Sequence, residues 1–136
     1  MKYRHRCISL VVSTLLLCTP LTLLAQETRF KTTGDQGHHA AQTFDQAPLV
    51  SMRPTRLVLR LLDSDSGSPA AVKGICDLTM PAMPMPENRP TLRAIGNELI
   101  GEAIFTMAGE WQATCTVELG KGKLETFVFN LGDVQL

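Results

Sequence analysis

Glu110-Trp111-Gln112-Ala113-Thr114-Cys115-Thr116-Val117-Glu118-Leu119, residues 110–119, alternates polar and apolar side chains without a break. A period of two over ten residues is the pattern of a β-strand with one dry face and one wet face. Trp111, Ala113, Cys115, Val117 and Leu119 share the apolar face.

The pattern extends in both directions. Gly120-Lys121-Gly122-Lys123 reads as a hairpin turn, and residues 124–131 return with Phe127, Phe129 and Leu131 inward. Upstream, residues 99–106 alternate before a turn at Gly109, and Gly96-Asn97 separates them from a short strand at 91–95. Residues 71–79 place Val72, Gly74, Cys76 and Leu78 on one face. The first clear strand, 55–62, stops at the turn cluster Asp63-Ser64-Asp65-Ser66-Gly67-Ser68-Pro69. Residues 80–90 hold too many prolines for a central strand, because proline has no ladder donor. No stretch shows a sustained helical period.

Cys76 and Cys115 both fall on the apolar faces of their strands, the latter beside Trp111. Two inward cysteines suit a disulfide crossing the core of a β-sandwich. About seven short strands in roughly 85 residues point to an immunoglobulin-like antiparallel β-sandwich, with a small barrel as the alternative.

The N-terminus has a different character. Lys2, Arg4 and Arg6 precede an almost wholly apolar run from Cys7 to Leu17, Pro20 breaks it, and Ala25 offers a small residue before a cut at Gln26. Residues 1–25 therefore read as a secretory signal peptide. An uncleaved anchor and a lipoprotein modified at Cys18 are the competing readings. Cleavage leaves Cys76 and Cys115, an even pair for an oxidising compartment. A bridge closing a loop of about 40 residues stabilises a fold by roughly 3–4 kcal/mol in the chain-entropy account. Residues 26–48 are polar and carry Gly34 and Gly37, which reads as a flexible linker, and residues 49–136 as the domain. The expected location is periplasmic or secreted, with no membrane span after cleavage.

Charge narrows the partners. The 136-residue chain is formally neutral, but residues 26–136 hold 10 basic and 13 acidic residues. That balance disfavours nucleic acid and anionic membranes and leaves an envelope protein as the expected partner.

Met80, Met83 and Met85 lie within six positions among prolines, and Met107 is expected near them. Neutral, soft thioethers favour Cu(I), so these four are the candidate metal ligands and copper the candidate cofactor. The competing role is packing or partner contact, for which methionine is equally suited. His38 and His39 are a second pair with metal-binding chemistry, set against a solvated linker. No histidine occurs in residues 49–136, so a Ser-His or Cys-His pair has no basis there. No glycine-rich phosphate loop or zinc spacing is present, and the domain is expected to be non-enzymatic.

The run Met80-Pro81-Ala82-Met83-Pro84-Met85-Pro86, with Phe105-Thr106-Met107-Ala108-Gly109-Glu110-Trp111, resembles the YtkA-like/FixH-like domain family over about residues 50–131. That resemblance implies a small exported or membrane-attached immunoglobulin-like sandwich, linked to copper handling or respiratory-oxidase assembly. Family members commonly have a Gly-His-Gly-like step after the Met-Pro run. Here Pro84-Met85-Pro86-Glu87-Asn88 takes its place, so no imidazole accompanies the thioethers.

Overall fold

Trp111, Ala113, Cys115, Val117 and Leu119 are all buried in the computed structural model, which describes residues 26–62 and 70–136. The expected signal peptide and the turn cluster at 63–69 lie outside the described residues. Eight strands follow in chain order: β1 (Thr28–Thr33), β2 (His39–Phe44), β3 (Pro54–Leu61), β4 (Ala71–Thr79), β5 (Thr91–Ile95), β6 (Glu98–Ile104), β7 (Gly109–Leu119) and β8 (Lys123–Val134). A single 3-10 turn, Gly120–Gly122, joins the last two. The protein is all-β.

The strands form one sheet in the order β1-β2-β3-β6-β5-β4-β7-β8, with every pairing antiparallel. β4, β5 and β6 are a meander that returns beside β3, a Greek-key arrangement. The sheet curls until its two edges approach. Asp35 N donates to Thr126 O at 3.1 Å, and Thr126 N donates to the Asp35 carboxylate at 2.9 Å. At the other end of β8, Val50 bridges Gln135, with Ser51 N bonded to Gln135 O and Gln135 N to Leu49 O. The result is a nearly closed barrel, not two separate sheets of seven strands in all.

The difference arises in residues 26–48. Expected to be a linker, they form β1 and β2 and belong to the domain. Ala40, Gln42 and Phe44 point into the core, with Phe30 packed against it. Alanine and glutamine at inward positions carry little apolar signal, and only the register with β3 aligns them with Leu61, Leu59 and Leu57. An aromatic line, Phe30–Phe44–Phe105–Trp111, runs across the interior with centroids 6.2, 5.6 and 5.2 Å apart. Such edge and tilted contacts add to the stabilisation from burial itself.

Cys76 and Cys115 form a disulfide, and both are inward as the alternation required. They are register partners on the neighbouring strands β4 and β7, so the bridge joins two strands of one sheet and does not cross between layers. Cys76 N–H turns the other way, to Pro90 O at 3.1 Å. The two cysteines thus occupy a non-hydrogen-bonded pair site, where side chains approach most closely. Fully buried Gln42 lies against the bridge, its amide nitrogen 3.5 Å from Cys115 Sγ. Val72, expected inward, is exposed instead, because the β4–β7 register shifts between Ala71 and Lys73.

The β1–β2 turn closes over a buried carboxylate. Glu125 on β8 has no exposed surface. It accepts hydrogen bonds from Gln36 N at 3.2 Å and His38 N at 3.0 Å, and its other oxygen pairs with His38 Nδ1. A side chain at Gly34 would collide with this carboxylate and with the Phe127 ring, so the close wrap requires glycine there. Glu125→Ala leaves the Gln36 and His38 amides without their acceptor. It should destabilise the fold by about 2–3 kcal/mol, read as a lower urea midpoint. Glu125→Gln keeps an acceptor oxygen and should lose less.

Candidate functional methionine end

The sheet order makes β2, β4, β6 and β8 run in one direction and their partners in the other. The β2–β3, β4–β5 and β6–β7 loops therefore emerge at the same end as the C-terminal residues. Direct bonds tie them together. Met52 N donates to Phe105 O at 2.7 Å, and the Asn88 side-chain amide donates to Ile104 O at 2.8 Å. Trp111 Nε1 donates to Met107 O at 2.9 Å, which orients the β6–β7 loop from the core outward.

All five methionines that follow Met1 in the sequence lie on these three loops: Met52, Met80, Met83, Met85 and Met107. The four expected as ligands do share one end, but not one environment. Met80 and Met85 are half-buried and pack against the core. Met80 N–H lies 3.2 Å from Met85 Sδ, in hydrogen-bonding contact. The Met80 methyl sits over Gly109, where positive φ and the missing side chain leave room for it. Met83 and Met107 are exposed, at 46% and 40%.

Met52 is the addition that sequence reasoning missed. It is the most exposed of the five, at 73%, and its φ of +59° is a backbone region that non-glycine residues rarely adopt. The bonds from Ser51 N and Met52 N to Gln135 and Phe105 hold it there. Nothing local in the sequence marks it, since it stands far from the Met-Pro run and joins it only through the strand order.

The histidines lie elsewhere. His38 and His39 belong to the β1–β2 turn and the start of β2, at the opposite end of the strands. His38 is engaged by Glu125, and His39 Nδ1 is 2.9 Å from Thr33 Oγ1. A combined site of imidazole and thioether therefore does not form in this arrangement. Asp77, on the wet face of β4, is 3.7 Å from Arg89, which also meets Glu87 at 3.1 Å. Among the described residues no three His, Cys, Asp or Glu side chains are grouped to hold a metal ion. The soft donors gathered at this end are thioethers, and the same loops carry Arg53, Glu87 and Arg89 as charged neighbours.

Compared with known protein families, curated proteins and solved structures, the chain matches none of them.

The exposure difference has a direct readout. Under limiting peroxide, Met52, Met83 and Met107 should reach the sulfoxide well before Met80 and Met85, as scored by peptide mass spectrometry. Equal rates at all five would mean that the two inner thioethers are not shielded.

Proposed function

We propose that this chain is an exported, non-enzymatic accessory domain that takes Cu(I) transiently at its methionine end. The observation that carries the reading is the collection of every methionine after Met1 on three neighbouring loops, three of them exposed. Soft thioether donors suit Cu(I) over harder cations, and exposure suits a site that must both receive and release its cargo. Met83, Met107 and Met52 are the donors that solvent reaches. Met80 and Met85 hold the loop against the core, with Met80 close enough to join.

Two features support the wider frame. Without β1, the strands follow the chain order of the A-B-E-D and C-F-G sheets of an immunoglobulin-like domain, here joined into one sheet by the β4–β5 pairing. This agrees with the resemblance to YtkA-like/FixH-like domains, with β1 as an added strand. The Cys76–Cys115 bridge suits an oxidising compartment, as the basic and apolar N-terminal segment does.

A second reading keeps the same surface and needs no metal. The half-buried state of Met80 and Met85 favours a contact patch, with adaptable side chains presented to an envelope protein. Titration with Cu(I) against a colorimetric chelator separates the two. The wild-type protein should compete for Cu(I), and the triple variant Met52→Leu, Met83→Leu, Met107→Leu should bind at least tenfold more weakly. If the wild-type protein does not compete, the copper reading fails and the contact reading takes its place.

A further inference from the structure

The outer face of the sheet holds a trough that neither reading uses. On β2 the outward residues are small, Ala41 and Thr43. On β3 the outward residues are Arg56, Val58 and Arg60, which alternate with buried Leu57 and Leu59. Register sets Thr43 between Arg29 of β1 and Val58, and Ala41 between Lys31 and Arg60. β1 and β3 stand about 10 Å apart across the strand between them. Their long side chains thus wall a groove floored by β2. Its volume is about 280 Å³, and Glu27 and Glu98 complete the lining.

The groove is lined by three arginines and two glutamates, which leaves one positive charge in excess. Arg60 is held by an ion pair with Glu98. The guanidinium groups of Arg29 and Arg56 make no ion pair or hydrogen bond among the described residues; only the Arg56 backbone is engaged, by Asp45. Arg29 and Arg56 stand diagonally across this small-residue floor, offset by two residues along the strands, in a chain whose residues 26–136 are acidic on balance.

We propose that this trough binds a small oxyanion, a carboxylate or a phosphate, gripped by Arg29 and Arg56 with Arg60 fixed beside them by Glu98. Guanidinium forks take such planar or tetrahedral oxyanions through paired, charge-assisted hydrogen bonds. The volume fits a metabolite-sized ligand and not a macromolecule. Glu27 and Glu98 in the lining disfavour extended polyanions, which sets the trough apart from a nucleic-acid surface.

Amide chemical-shift titrations of the protein with succinate and, separately, with inorganic phosphate test this. At least one probe should give saturable shifts centred on Ala41, Thr43 and Val58, and the tighter of the two assigns the ligand chemistry. Arg29→Gln and Arg56→Gln should each weaken binding at least tenfold with the spectrum otherwise retained, while Lys123→Gln on the far hairpin leaves it unchanged. No saturable shift with either probe overturns the proposal, and so do shifts that both arginine variants leave unaltered.

Discussion

The covalent pairing of Cys76 with Cys115 sets the register on which the rest of the fold is built. It joins β4 to β7, strands far apart in sequence, at a site where both side chains are wholly buried. β5 pairs with one side of this unit through β4, and β8 pairs with the other through β7. A one-residue slip between β4 and β7 would turn every side chain of one strand to the opposite face. The bridge excludes that slip. β4 ends where the Met80–Met85 segment begins, and β7 begins where the Met107 loop ends. The gathering of thioethers at one end is a consequence of the antiparallel strand order.

Closure of the barrel rests on a different kind of contact. The β1 edge has no large apolar surface to offer β8, and its approach is held by polar groups: Asp35 with Thr126, and the turn amides with Glu125. A buried carboxylate is stable only when its oxygens are satisfied, and here the wrap of the turn supplies the donors. Core packing forms the sheet, and hydrogen bonding draws its edges together. The two ends of the strands consequently differ, with the imidazoles of His38 and His39 at one and the thioethers at the other.

The legible part of the fold was the part with strong alternation. β3 through β8 were expected within a few residues of their observed limits, because leucine, phenylalanine and tryptophan recur at period two there. β1 and β2 were not, since Ala40 and Gln42 are inward residues that do not look apolar, and Phe30 and Phe44 alone read as isolated rings in a polar stretch. Parity placed both cysteines inward correctly. It could not say whether they faced across layers or along one sheet, which depends on β7 docking beside β4. The same limit hid Met52 and the arginine trough. Each is assembled from residues distant in sequence, and only the pairing of strands brings them side by side. Val72 shows the converse, a correct alternation undone by one register shift.

X-ray absorption at the copper edge of the Cu(I)-loaded protein tests the central claim most directly. A thioether end predicts a first shell of sulfur scatterers only, since the imidazoles of His38 and His39 lie at the far end of the strands. A shell containing nitrogen or oxygen would contradict the account.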